Sequence, residues 1–463
     1  MTKPRHFFFR SKSRRFSMAI PNKKRKRKEV RRKDEEIQTD NLLKPQVIDK
    51  DAPISNVVDD SKPLSKFDLH LQHKLSDEDT GDRGMQINLN KDNLSSTIAN
   101  DDGSKDKLIT SKAFVNLFNH PSLTEELMLH WGEVNQEYGG LYSEHGESIS
   151  TQQVWFFDQC STYRDILFAN KTPFYLEGSE DVDIMGAYIV HALNHVFRTR
   201  DCIDKNDAKI AELGADVDSE RFQDQGFTRP KVLILLPFAS IMYDVVMSLI
   251  KLTPSAEVDE ESLKLFSDKY GGEEQKDSKE KGQEPDNEDP KPEDFKLLFK
   301  GNSDEKFITG IQFTGTTIKL SDDLFSSDFI IASPCRLVDE IDVGNVDILS
   351  SIEILIIDHA DIIAMQDWSH VNTIIQQLNR VPDELPNATM RIRPWYLEEE
   401  AQFYRQTMIL GSYSNKDILE SFNRSSNYEG KMMRLMSEYK GVNEWFSKLW
   451  EMDKADVRTR MFS

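Results

Sequence analysis

Cysteine is scarce: Cys160, Cys202 and Cys335 are the three in a chain of 463 residues. They form no C-x-x-C pair and have no histidines at zinc-ligand intervals, which argues against a disulfide framework or a structural zinc site and fits a reducing compartment. Long apolar runs are also missing. None reaches the roughly 18 residues that a membrane-spanning helix needs, so no membrane partner is expected. No apolar core follows the basic N-terminus, so it does not read as a secretory signal, although its Arg and Phe content before Met18 leaves a transit peptide as an alternative. A further absence bears on chemistry, because the chain contains no G-x-x-x-x-G-K-[S/T] loop. The only Gly-Lys pair, Gly430-Lys431, follows Ser425 where a glycine is required and precedes Met432. Without that loop no backbone cradle for phosphates can be read from the sequence, and no cofactor is expected.

Charge is present in quantity and unevenly placed. Residues 1–33 hold 15 Lys or Arg against the single acid Glu29, a net of +14, while the whole chain is at −21, which leaves −35 for the remainder. Nine of those basic residues fall within eleven positions: Lys23, Lys24, Arg25, Lys26, Arg27, Lys28, Arg31, Arg32 and Lys33. Such a density of like charge does not fold, and it matches a nuclear or nucleolar localisation segment with an import receptor as partner; the plainer reading is a solvated tail without an address. Residues 1–109 are expected to be disordered, since from residue 34 onward Asp, Asn, Ser and Lys dominate and apolar residues are isolated.

Order is expected from about residue 110. Phe114, Leu117, Phe118, Leu123, Leu127, Leu129 and Trp131 recur at helical intervals, and Phe156, Phe157, Tyr163, Ile166 and Leu167 extend this pattern toward a short strand candidate at Thr172 to Leu176. Ile184 to Phe197 reads as a buried helix. His191 and His195 lie four apart on it, a spacing that could bind a metal but that lacks a third ligand, so packing or hydrogen bonding is expected. Near-continuous apolar runs then mark strands at Lys231 to Phe238, Phe307 to Phe313, Asp328 to Ser333, Ser351 to Asp358 and Thr407 to Ser412. Strands of this kind alternating with helical stripes predict a parallel sheet buried on both faces, with residues 110–442 as one α/β domain. The charged stretch 253–305 reads as an acidic surface insertion.

Polar or turn residues close four strands in a fixed order: Pro237-Phe238, Ser333-Pro334-Cys335-Arg336, Asp358-His359-Ala360-Asp361 and Gly411-Ser412-Tyr413. Carboxyl ends of parallel strands form the ligand crevice, so all four face one side of the sheet. The order resembles the first RecA-like domain of DEAD-box RNA helicases, where the corresponding pieces are P-T-R-E-L-A, T-P-G-R, D-E-A-D and S-A-T. What the resemblance implies is a RecA-like parallel sheet flanked by helices, with RNA-backbone contacts carried over to Pro237, Ser333 and Arg336. The third piece is degenerate. In a hydrolase the first Asp of the box holds Mg²⁺ and the following Glu orients the attacking water; here His359 stands in place of that carboxylate. Gly178-Ser179-Glu180-Asp181 is the positional remnant of the phosphate loop, with carboxylates where a lysine and a hydroxyl are needed. ATP hydrolysis is not expected. The plainer local reading is a strand followed by a turn in which Asp358 and Asp361 cap the next helix.

RPKVLILLPF (229–238), FSSDFIIASP (325–334), LSSIEILIIDHADIIAMQDWSHV (349–371) and YRQTMILGSYSNKDILESFNRSSNYEGK (404–431), with HALNHVFRTR (191–200), resemble the digestive organ expansion factor family. These are U3 small nucleolar RNA-associated proteins of the small-subunit processome. The resemblance implies a nucleolar, DEAD-box-like protein without helicase activity, partnered by U3 small nucleolar RNA, pre-18S rRNA and processome proteins. Members carry a box of the form D-[QH]-A-D, which His359 fits, and continue into a second RecA-like domain. Here residues 443–463 form a short atypical tail instead, as a truncated product or an incomplete gene model would. Trp395 and Tyr396, after Arg391 and Arg393, are open to two readings, stacking on single-stranded RNA or packing; Trp368 lies on an apolar stripe and is expected in the core. The alternatives are an active RNA-dependent ATPase with an unusual box and an inert fragment of a longer product.

Overall fold

The computed structural model describes residues 64–76, 79, 123–139, 150–171, 181–213, 222–271, 299–385 and 391–434. The basic segment at 23–33, the strand candidate at 172–176, the remnant at 178–180 and the tail at 443–463 lie outside the described residues. In chain order the helices are α1 (Lys66–Gln72), α2 (Glu125–Gly139), α3 (Thr151–Cys160), α4 (Asp181–Leu213), α5 (Ala239–Leu252), α6 (Glu260–Tyr270), α7 (Pro334–Asp342), α8 (Ala360–Gln366), α9 (Trp368–Gln377), α10 (Pro394–Leu397), α11 (Ala401–Tyr404) and α12 (Lys416–Asn423). The strands are β1 (Asp165–Phe168), β2 (Val232–Leu235), β3 (Glu257–Val258), β4 (Ile308–Thr314), β5 (Thr317–Ser321), β6 (Phe329–Ala332), β7 (Ile354–Ile357), β8 (Gln406–Leu410) and β9 (Lys431–Arg434). No described helix is long and apolar enough to cross a membrane.

One nine-stranded sheet runs in the order β3-β5-β4-β6-β2-β7-β8-β1-β9. Only β4 is antiparallel to its neighbours, β5 and β6. The strands β6, β2, β7, β8, β1 and β9 form a parallel run. Every residue of VLIL, FIIA and ILII is buried, because successive side chains enter opposite cores. Ile234, Ile331, Ile356 and Met408 meet α2 to α6 on one face, while Leu235, Ile330, Ile357 and Ile409 meet α7, α8, α9 and α12 on the other. Each such fully buried aliphatic side chain contributes about 1.5–3 kcal/mol. The strands expected from Lys231 to Phe238 and from Phe307, Asp328, Ser351 and Thr407 onward are all present, with β4 running one residue past Phe313 and β8 starting one residue before Thr407.

One strand was not foreseen, and two expectations need correction. Asp165–Phe168 is a strand of the parallel run, while the candidate at 172–176 lies outside the described residues. The DILF sequence follows a run of aromatics at helical spacing, so periodicity alone set no boundary there.

Disorder throughout 1–109 is wrong at α1. Ser65 and Asp68 form a reciprocal capping box. Phe67 packs edge-on to the His195 ring at 5.3 Å, and His70 stacks between Tyr163 (4.4 Å) and Tyr428 (5.2 Å). His70 Nε2 donates to the Tyr404 carbonyl (2.9 Å), and its Nδ1 lies 2.9 Å from the Tyr428 hydroxyl. These contacts lay α1 across the sheet's amino end.

The insertion 253–305, finally, is not wholly surface loop. Asp259 caps α6 by accepting from Ser262 N (3.0 Å), Phe266 stacks on Tyr243 (5.6 Å), and the Tyr270 hydroxyl donates to the Ile308 carbonyl. A charged composition hid an amphipathic helix. Residues 272–298 lie outside the described residues.

Candidate functional site: the strand-end crevice

Asp358 immediately follows β7 and is buried, with 1% of its side chain exposed. Its backbone N–H donates to the Leu235 carbonyl (3.1 Å), which extends the β2/β7 ladder and fixes the carboxylate at the carboxyl end of the sheet. From the opposite side comes Lys171, three residues beyond β1. Its backbone N–H donates to the Gly411 carbonyl (3.1 Å), and Gly411 N–H donates to the Phe168 carbonyl (3.0 Å), so the loop after β1 is zipped to the end of β8. A Cβ on Gly411 would stand 2.7 Å from Asp361 Oδ1 and 3.2 Å from Asp361 N, so this close passage requires glycine.

The Lys171 side chain therefore reaches across the end of β8. Its Nζ lies 2.5 Å from Asp358 Oδ1 and 2.5 Å from Asp181 Oδ1, the latter in the first turn of α4. Tyr188, two turns further along α4, donates its hydroxyl to Asp358 Oδ2 (3.1 Å), and His359 N–H donates to Asp358 Oδ1 (2.8 Å). Burial alone would push the Asp358 carboxyl up, yet the charges of Lys171 and His359 and the hydrogen bonds hold it below its ordinary value. Burial likewise pulls the Lys171 ammonium down, and the two carboxylates more than reverse this. The Tyr188 phenol is held well above its ordinary value by burial and by the neighbouring carboxylates.

His359 has a left-handed backbone (φ 53°), uncommon for a non-glycine residue. Its Nε2 stands 3.7 Å from Asp181 Oδ1 and 3.8 Å from Asp358 Oδ2. The expected capping of α8 by Asp358 and Asp361 is not found. His359 is the N-cap and has no side-chain cap bond, whereas Asp361 Oδ1 accepts from Ser412 N (3.3 Å) and so ties α8 to the end of β8. Burial is the first cause of the raised Asp361 carboxyl.

One oxygen or nitrogen each from Asp181, Asp358 and His359 lies within 4.8 Å of the others, the only such group of three among the described residues. It does not fit a Mg²⁺-nucleotide as it stands. The Lys171 ammonium is in hydrogen-bond contact with both carboxylates, and a divalent ion would be repelled by it.

The other proposed contact residues separate. Pro237 is buried, and its carbonyl accepts from Gln366 Nε2 (3.2 Å). Ser333 is fully buried and caps α7, with its hydroxyl 3.4 Å from Arg336 N. Neither offers a side chain to RNA, because each closes a turn between strand and helix. Arg336 pairs with Glu340 (2.5 Å) and keeps about a third of its side chain exposed (32%). Trp395 and Tyr396 pack rather than present a face. Trp395 stacks on Tyr404 (4.5 Å), Tyr396 is wholly buried, and the Tyr396 hydroxyl donates to Glu353 Oε1 (2.8 Å). Trp368 is in the core as expected, with Nε1 donating to Ser421 Oγ (2.9 Å).

His191 and His195 turn to different partners, His191 Nε2 to Gln406 Oε1 and His195 Nε2 to Glu353 Oε2, both at 2.8 Å. Glu353 also accepts from Arg393 (3.2 Å). Burial pushes the Glu353 carboxyl up, and Arg393, His195 and Lys231 together hold it well below its usual range. This second charged cluster lies at the amino ends of β2 and β7, on the side away from the crevice.

Lys171 is the site residue that sequence reasoning missed. It stands just past a strand, Asp165–Phe168, that was not foreseen, and a lysine belongs to none of the strand-end motifs.

The profile described as "UTP25, NTP hydrolase-like domain" matches residues 163–432. Protein NUCLEOLAR FACTOR 1 of Arabidopsis thaliana is 41% identical over 415 residues, which cover 84% of this chain and 54% of that protein. U3 small nucleolar RNA-associated protein 25 of Pyricularia oryzae is 43% identical over 262 residues (55% of this chain, 34% of that protein), and its Schizosaccharomyces pombe counterpart is 36% identical over 295 (61% and 41%). The chain spans about half or less of the length of these relatives. Among solved structures, a DEAD box protein from Methanococcus jannaschii aligns with a TM-score of 0.34 at 10% identity, over 69% of this chain and 56% of that one.

Proposed function

Because the chain belongs to the family described as "UTP25, NTP hydrolase-like domain", we propose that it is a non-catalytic factor of the small-subunit processome. It acts in nucleolar processing of pre-rRNA toward 18S rRNA by binding RNA and protein. The names of its relatives support the setting: U3 small nucleolar RNA association in the fungi and a nucleolar factor in Arabidopsis. The observation that carries the absence of catalysis is the crevice itself, where Lys171 is bonded to the aspartates that a metal-nucleotide would need. The sequence contains no G-x-x-x-x-G-K-[S/T] motif to compensate.

RNA is contacted through the basic arm at residues 23–33, which also serves the import receptor, with Arg336 as a candidate on the folded domain. The acidic remainder of the chain suits protein partners better than bare phosphate. Ultraviolet crosslinking of the tagged chain in its own cells, followed by sequencing of bound RNA, tests this. Enrichment of U3 small nucleolar RNA and 18S precursor is expected, and background RNA alone overturns the proposal. Purified chain is expected to release no phosphate from ATP, with or without RNA; release that disappears in Asp358→Ala would establish an ATPase instead.

A further inference from the structure

A carboxylate at the carboxyl end of a buried parallel strand needs a cation. The two-carboxylate geometry of this crevice already has one, supplied covalently. Lys171 Nζ is equidistant, at 2.5 Å, from Asp181 Oδ1 and Asp358 Oδ1, and only 2% of the lysine side chain is exposed. Its position is set by backbone as well as by charge, since Lys171 N–H is bonded to the Gly411 carbonyl (3.1 Å). A Mg²⁺ or Mn²⁺ ion held by the same two oxygens, with ligand distances of roughly 2.0–2.2 Å, would need the volume the ammonium fills.

We infer that Lys171 is a tethered cation standing in for a divalent ion between Asp181 and Asp358, and that its removal unmasks a carboxylate, carboxylate and imidazole site (Asp181, Asp358, His359) for a transition-metal dication. The native crevice is closed to metal-nucleotide by an internal ion pair and not merely by lost motifs. This deepens the non-catalytic proposal and rests on it. The imidazole, 3.7 Å and 3.8 Å from the two carboxylates, makes Mn²⁺ a better probe than Mg²⁺, which prefers oxygen ligands.

The test is electron paramagnetic resonance of Mn²⁺ titrated into the full chain, comparing wild type, Lys171→Ala and Lys171→Gln, each with and without Asp358→Asn. The chain is acidic and will hold Mn²⁺ loosely elsewhere, so only the part that vanishes with Asp358→Asn counts. The wild type is expected to show none. Lys171→Ala is expected to gain one Asp358-dependent site, tighter than any in the wild type by on the order of a hundredfold, because a unit positive charge a few ångströms from the ion has gone. Lys171→Gln keeps the length and a donor without the charge, and serves if the alanine variant fails to fold.

An Asp358-dependent site already present in the wild type overturns the inference, and this arm needs no variant of Lys171. So does a folded Lys171 variant that gains no such site. Neither result touches RNA crosslinking, so U3 enrichment that survives them leaves the processome proposal standing, while refusal of Mn²⁺ without U3 enrichment removes that proposal alone.

Discussion

Asp358→Asn separates a scaffold from an enzyme. In a hydrolase this change removes a metal ligand at little cost to folding. Here it leaves Lys171 with one carboxylate in place of two, inside the protein. Breaking a buried ion pair from one side costs about 3–5 kcal/mol, because the remaining charge stays desolvated. Asp181 still lies 2.5 Å from Nζ, so the expected loss is at the low end, about 3 kcal/mol. The pH dependence has a definite sign. The Asp358 carboxyl is held below its unfolded value of about 3.8, so its contribution is fully present above that value and disappears as pH falls through the lower folded one. Urea unfolding of wild type and variant, followed by tryptophan fluorescence, reads both effects. The gap between the two should stay level from neutral pH down to about pH 5 and close at lower pH. Equal midpoints at pH 7, or a gap that persists unchanged at strongly acid pH, would refute the claim that Asp358 is paired by Lys171.

Two further outcomes follow from the sheet's amino end. Burial pushes the Lys231 ammonium down to about 8 from 10.5, so the folded state binds this proton more weakly than the unfolded state, and stability should rise between pH 8 and 10.5 as the folded protein sheds it first. Lys231→Met should remove that rise and stabilise the protein at pH 7 by about 2 kcal/mol, the roughly 3 kcal/mol of displaced ionisation less about 1 for the lost bond to the Thr228 carbonyl; chemical denaturation at pH 7 and pH 10 checks it. Phe67→Ala removes the apolar anchor of α1, whose ring also lies under the Arg198 guanidinium at 5.9 Å. Amide exchange within 66–72 should accelerate by at least about a hundredfold while β2 and β7 amides keep their protection, a local loss of the size expected for a buried Phe→Ala change. Uniform acceleration across the sheet would show that α1 is part of the global unit.

What the sequence disclosed depended on which physical signal each segment carries. Strands β2, β6, β7 and β8 are buried on both faces, and that burial favours largely apolar runs such as VLIL, FIIA and ILII that few loops imitate. Strand β1 meets the same demand with four residues, DILF, placed after Trp155, Phe156, Phe157 and Tyr163, so its apolar content merged with that of the preceding helix. Helices α1 and α6 sit in polar composition. Local signals existed there, Ser65 with Asp68 three residues later and Asp259 ahead of Leu263, Phe266 and Tyr270, but averages over long windows submerged them. At the site, Asp358 and His359 were legible because they end a strand with a distinctive tetrapeptide. Lys171 was not, since its role arises from the adjacency of β1, β8 and β7 in space, which sequence order does not give. Trp395 and Tyr396 were ambiguous for a related reason: beside Arg391 and Arg393 they have the composition of an RNA contact, and only the buried partner Glu353 assigns the Tyr396 hydroxyl inward.

The crevice of a parallel sheet concentrates unsatisfied electrostatics whether or not the protein hydrolyses anything. Asp358 follows a strand flanked by β2 and β8, so it cannot turn to solvent without breaking its backbone bond to Leu235. Left alone it would protonate or destabilise the sheet. A hydrolase meets this need with a metal ion that comes and goes with nucleotide. The present chain meets it with Lys171, held by the Gly411 pairing, and with the Tyr188 hydroxyl on the second oxygen. The cluster around Glu353 at the sheet's other end is also satisfied from within, by Arg393, His195 and Tyr396. Asp358 and Glu353, at opposite ends of the sheet, thus both hold their charge with partners that the chain itself supplies.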